Sequence, residues 1–247
     1  MPYPRLPSEM LDDVVDNLRD AGRGNFKNCC LVSKSWVHRA RKHLFFHVAF
    51  SKAGDLESWQ ATFPDPSTSP ARYAKHMSVG CPQAAAATYG EGSFISNFFH
   101  VLRLDVHLDE RETPSAHVSR PRRPAVGVFP ASCIFNLITS FPHLEELNAT
   151  NFAPDGDNRS DGRPAPNLPP SMRTVCLNSI EGIGPIANRI LSPPGSLHLS
   201  SLELTLHSKE DVDLAAALVE RCSSLKSLRL DSKITCESFD ACVYANG

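Results

Sequence analysis

Seven short segments of this 247-residue chain carry one apolar spacing, with apolar residues at the first, fourth and sixth positions. They are "FFHVAF" from Phe45, "AKHMSV" from Ala74, "FHVLRL" from Phe99, "LEELNA" from Leu144, "MRTVCL" from Met172, "LSSLEL" from Leu199 and "LKSLRL" from Leu225. Successive starts lie 29, 25, 45, 28, 27 and 26 residues apart. Alternation over the later positions is the pattern of a strand with one buried face. Helical patterns fall between several of the segments. Ile134, Leu137, Ile138 and Phe141 make one stripe, and Leu214, Ala217, Leu218 and Cys222 make another. Ser208 with Asp211 three residues on offers the second helix an N-cap and an acidic N3 partner. A fold that repeats a strand and a helix at a near-constant interval is therefore expected.

The long interval of 45 residues contains "DERETPSAHVSRPRRPAVG", residues 109 to 127, which reads as a polar insertion. Residues 153 to 170, "APDGDNRSDGRPAPNLPP", hold too much Pro, Gly and Asp for a helix and are expected to form a long loop. The chain ends at Gly247 where a further strand is due, so the array is expected to be incomplete at that end. A final helix carrying Phe239 and Val243, with Cys236 and Cys242 on one face, would cover the last strand.

The first fifty residues have a different period. Leu11, Val14, Val15 and Leu18 recur at helical spacing, with Asp12, Asp13, Asp16 and Asn17 on the other face. Pro7 and Ser8 supply a start, and Gly22 a stop. A short second helix fits Asn25 to Leu31, with Phe26, Cys29 and Cys30 for burial. A third fits Ser33 to Phe45, with Trp36, Val37, Ala40 and Leu44 on one stripe. Three helices in about forty residues make a small core, and such a unit borrows stability from a neighbour or partner.

"LPSEMLDDVVDNL", then "NCCLVSKSW", then "HLFFHVAF" together resemble an F-box of the type abundant in fungi, over residues 5 to 50. The matching positions are Leu6, Pro7, Glu9, Leu11, Val14, Leu18, Cys30, Leu31, Val32, Lys34, Trp36, Leu44 and Phe45. Phe45 stands where many members have tryptophan, and Met10 also departs from the pattern. Residues 51 to 247 resemble a degenerate leucine-rich repeat solenoid, in which parallel strands line one face and helices the other. Only "LEELNATN", ending at Asn151, approaches that family's consensus. An ordinary α/β domain whose strands fall at this interval is the alternative. The expected fold class is thus α/β, a three-helix F-box followed by a leucine-rich-repeat-like solenoid. The resemblance implies a non-catalytic adaptor that docks on a Skp-type linker, and through it on a cullin and a RING subunit. Leu6, Pro7, Glu9, Leu11, Val14, Leu18, Leu31, Val32 and Trp36 would make the linker contact. The repeats would hold an unidentified protein target for ubiquitin transfer. An interaction module that binds the Skp-type linker outside any ligase is the second reading, and a thiol or metal hydrolase the third.

Charge and composition remove other classes. The formal net charge is -2, so nothing favours a nucleic-acid groove or an acidic membrane. The basic run "RPRRP" at 120 to 124 reads as a solvated loop. The N-terminus has no uncharged apolar core of a signal peptide, and no apolar run reaches the ~20 residues that span a bilayer. A cytoplasmic or nuclear location is expected, with the eight cysteines as reduced thiols. Cys29-Cys30 with His38, His43 and His47 lacks the ligand spacing of a zinc site, so packing is expected and no metal or cofactor. No Ser/His/Asp, phosphate-loop or paired-carboxylate signature stands out, and "GEGSF" at 90 to 94 reads as a turn.

Overall fold

Every apolar segment but one becomes a strand in the register its spacing predicts. The structure, a computed structural model, describes residues 7–18, 23–52, 54–80, 94–107, 129–153, 167–179 and 182–234. Its strands are β1 His47–Phe50, β2 His76–Val79, β3 Arg103–Val106, β4 Phe129–Pro130, β5 Glu146–Thr150, β6 Phe152–Ala153, β7 Thr174–Asn178, β8 Ser201–Leu206 and β9 Ser227–Ser232. Seven of them form one sheet in the order β1-β2-β3-β5-β7-β8-β9, and each neighbouring pair is parallel. β4 and β6 make a separate parallel pair. The steps share one hydrogen-bond device at their base. The carbonyls of Phe46, Lys75, Leu102, Glu145, Arg173 and Ser200 each accept two successive N–H groups from the next unit, at 2.8 to 3.0 Å.

Parallel sheets are usually buried on both faces and read as continuous apolar runs. Here the strands alternate, and the described helices cover one face. The fourth positions, Val48, Met77, Leu104, Leu147, Val175 and Leu202, are all buried, and so are the sixth, Phe50, Val79, Val106, Ala149, Leu177 and Leu204. On that side lie α4 Asp55–Thr62, α5 Ala131–Ser140, α6 Gly184–Leu191 and α7 Lys209–Arg221. Short 3₁₀ turns, Pro70–Tyr73 and Phe94–Phe98, lead into β2 and β3. The expected stripe of Ile134, Leu137, Ile138 and Phe141 is buried in the common core, as is Leu218, with Leu214 and Cys222 packed against it.

The third segment is the exception. Its expected apolar positions were Phe99, Leu102 and Leu104, but Phe99 is 45% exposed and Leu102 only half-buried. The positions used are Val101, Leu104 and Val106, with Leu104 paired to Met77 on one side and to Leu147 on the other. The two intervals around it become 27 and 43 residues. A shift of two residues keeps the alternation on the same face, so spacing alone does not choose between the registers. Pairing with both neighbours does.

α7 is tied to the preceding unit at both ends. The predicted capping box is present: Asp211 N–H donates to Ser208 Oγ at 3.1 Å, and the Asp211 carboxylate accepts Ser208 N–H at 3.1 Å. The same buried carboxylate also accepts His207 N–H and, across the units, Ile183 N–H, each at 2.9 Å. Gly182 passes beside it at φ 101°, where a Cβ would meet Asp211 Oδ1 at 2.8 Å. At the other end Arg221 Nε donates to the Gly195 carbonyl at 2.9 Å, and the guanidinium reaches the carbonyls of Leu191 and Pro193 at 2.5 Å. The Leu191 carbonyl is one that the end of α6 leaves without a helical partner.

The N-terminal unit consists of α1 Ser8–Asn17, α2 Arg23–Val32 and α3 Lys34–Leu44, the last capped by Ser33 Oγ accepting Ser35 N–H. Its own core is Val15, Phe26, Cys29 and Ala40, with Leu18, Cys30, Trp36 and Leu44 packed around them. It leans on the first strand unit. Tyr73 Oη lies 3.3 Å from His38 Nδ1, and Phe45 meets Trp59 edge-on at 5.7 Å between ring centroids. The insertion at 109–127, residues 154–166 of the loop expected at 153–170, and the final helix with Phe239 and Val243 lie outside the described residues.

Candidate protein-interaction surfaces

The helical unit closes around charge as well as apolar packing. Arg39 on α3 grips Asp16 on α1 with Nε at 2.7 Å and a second bond from its terminal nitrogen. His43 Nε2 lies 2.7 Å from the same carboxylate while its ring stacks on Phe26 at 4.9 Å. The hydrogen bond from Arg39 holds the Asp16 carboxyl well below the ordinary carboxylate range and overrides the opposing effect of burial. These contacts set the α1–α3 crossing and leave several aliphatic groups outside it. Leu31 is 85% exposed, Val32 68%, Met10 54% and Val14 46%. These aliphatic side chains stay in water on helices that already own a core.

The residues proposed from sequence as linker contacts therefore divide. Val14, Leu31 and Val32 are outward-facing, as are Pro7 and Glu9. Leu18 and Trp36 are half-buried and pack against the unit's own core, where their first effect is on folding. Leu6 and the side chain of Leu11 lie outside the described residues. Met10, set aside in the sequence as a departure from the pattern, is one of the most exposed aliphatics.

The second surface is the outer face of the sheet. Odd positions of successive strands place His47, His76, Arg103 and Glu146 in one row, and Ser78, Asp105, Asn148, Cys176, Glu203 and Arg229 in another. Polar contacts run across the strands. The rings of His47 and His76 stack at 4.1 Å and 15°. His47 Nε2 is 2.7 Å from Ser78 Oγ, and His76 Nε2 is 2.5 Å from Asp105 Oδ2. Arg103 bridges Asp105 at 3.2 Å and Glu146 at 3.6 Å, and Arg229 reaches Glu203 at 3.4 Å. Asn148 Oδ1, in the middle of this face, is buried without a hydrogen-bond partner. The row was latent in the sequence, because once the apolar positions are aligned the residues between them must line the other face. The cross-strand partners needed the register of β3.

Chemically this face suits recognition better than catalysis. Ser78 and His47 are at the distance of a nucleophile and its base. Yet Ser78 is only 6% exposed, and Asp105 orients His76 rather than His47, so the three groups do not form one relay. Three of the described thiols are held protonated rather than poised to attack. Burial, with the nearby Glu203 carboxylate, pushes the Cys176 thiol up to about 11. Burial also raises Cys30 and Cys222 against the opposing charges of Arg41 and Arg221. His38, His43 and His47 engage Tyr73, Asp16 and Ser78 respectively. Among the described residues no group of three or more His, Cys, Asp or Glu could hold a metal, and no helix is long and apolar enough to cross a membrane.

A groove of about 550 Å³ is lined by Lys27 and Leu44 of the helical unit and by Val48, Phe50, Trp59 and Phe63 of the first strand unit. Phe45, Phe50, Phe63 and Phe98 pack around the Trp59 ring at 5.0 to 5.9 Å. This aromatic cluster covers the β1 end of the sheet. No family model, no curated protein and no solved structure matches the chain.

Proposed function

We propose that this chain is a non-catalytic substrate adaptor of a Skp–cullin–F-box ubiquitin ligase. On this reading the three-helix unit is an F-box that docks on a Skp-type linker, and the parallel array is a degenerate leucine-rich-repeat-like solenoid that holds a protein target on its polar face. The observation that supports it best is the placement of Met10, Val14, Leu31 and Val32 in solvent on helices that already share a core. Aliphatic groups so placed gain when a partner removes them from water, on the order of 1 to 3 kcal/mol for each well-buried anchor. The adaptor would act by proximity, raising the effective concentration of target lysines near the charged ubiquitin carrier.

The test is a titration of a purified Skp-type linker into the protein by calorimetry. Leu31→Ala combined with Val32→Ala should weaken binding at least tenfold and leave thermal unfolding within about 0.5 kcal/mol, because both side chains are exposed. Cullin should then co-purify through the linker. Absence of linker binding by the wild type, or unchanged affinity in the double variant, would sink the assignment.

A further inference from the structure

The two ends of the sheet are treated differently. β1 is covered by the Trp59 cluster and the helical unit, whereas β9 is exposed along its whole length. Leu228 and Leu230 occupy the positions that are buried in every earlier strand, yet they are 45% and 48% exposed. The hydrogen bonds from Ser227 N–H to Ser200 O and from Lys233 N–H to Leu206 O show which backbone groups face β8. Odd residues of β9 point inward, so the N–H and C=O groups of Leu228, Leu230 and Ser232 point away from the sheet. An open edge with an apolar face is a template for another strand.

We propose that this edge pairs with the same edge of a second copy, antiparallel about a two-fold axis at Leu230. Of the registers centred on Leu228, Arg229, Leu230 or Asp231, that one alone lets the sequence Ser227-Leu228-Arg229-Leu230-Asp231-Ser232 complement itself, while centring on Ser232 sets Asp231 opposite Lys233 and leaves Arg229 opposite no residue of this stretch. Leu230 lies opposite its own copy and Leu228 opposite Ser232, and these outward-facing residues make the hydrogen-bonded pairs. Arg229 then falls opposite Asp231 of the second copy, twice, in the non-hydrogen-bonded pairs where side chains stand closest, about 4.5 Å between Cα atoms. Centring on Arg229 or Asp231 would oppose like charges, and centring on Leu228 would face Arg229 with Ser227. The Arg229 side chain is 72% exposed even while it reaches Glu203, so it is available to the second copy. The contact joins the apolar rows of both sheets, and because it is isologous it closes at two copies.

Sedimentation equilibrium of the full chain tests this. A monomer–dimer equilibrium is expected, with no larger species. Arg229→Asp and Asp231→Arg should each weaken dimerisation at least tenfold, and the combined exchange should restore it, with circular dichroism unchanged throughout. A wild type that stays monomeric, as it would if residues 235–247 occupied the edge, overturns the proposal. So does dimerisation insensitive to either reversal, failure of the double exchange to restore it, or growth beyond a dimer. None of these outcomes bears on linker binding, which uses the opposite end of the molecule.

Discussion

The helical unit and the strand array hold together by different arithmetic. Among the described residues the unit has four buried apolar side chains, Val15, Phe26, Cys29 and Ala40, with Leu18, Cys30, Trp36 and Leu44 half-buried around them. The array shares one continuous core from Val48 to Leu218, so each strand unit buries its apolar side on the one before and the one after. A small core surrounded by exposed aliphatics suits a module that completes itself on a partner, while a long shared core suits a rigid platform. The two differ in what a single substitution can reach.

The largest effect should come from the middle of the array. Leu147→Ala removes a side chain that is 1% exposed between Leu104 and Val175, and should cost about 2 to 5 kcal/mol. Denaturant unfolding should show the loss over the whole array. Phe26→Ala in the helical unit should instead speed hydrogen exchange in α1 to α3 and leave β5 to β8 protected. Equal loss of protection in both regions would show that they unfold as one body.

Next come the ties between units. Asp211→Ala strips the acceptor from three backbone N–H groups and should cost about 1 to 3 kcal/mol. Exchange at Ile183 and His207 should rise first. If those amides stayed as slow as in the wild type, the carboxylate would not be the link between the α6 and α7 units.

The smallest effect concerns acid. The folded-state pKa of Asp16 lies below the ordinary carboxylate value of 3.8, so its contribution is complete above that value and is lost as pH falls through and below it. More than a third of the Asp16 side chain is exposed, and solvent screening keeps the contribution under about 1 kcal/mol. As pH falls from about 4 to about 2 the helical unit should lose protection ahead of the array, and Asp16→Asn should abolish that difference. An unchanged pH response in the variant would place the acid sensitivity elsewhere.

Local sequence determined whatever depended on period and short-range chemistry. Alternation at a near-constant interval specified six strands in register, the stripe from Ile134 to Phe141 specified a buried helix, and Ser208 with Asp211 specified a capping box. These are legible because strand alternation, helical spacing and caps act over a few residues. Tertiary structure decided the rest. β3 took the register of Val101, Leu104 and Val106 because Met77 and Leu147 lie on either side of it, and two residues of slip cost nothing locally. His47 met His76, and Asp105 met His76 and Arg103, only once the strands were stacked. Leu18 and Val14 share one stripe in the sequence, but one packs inward and the other stands in solvent, because the crossing of α1 on α3 is set by Arg39 and Asp16, 23 residues apart. Leu204 and Leu230 occupy the same position in their strands, and β9 lies beside the first, whereas among the described residues no strand lies beyond the second.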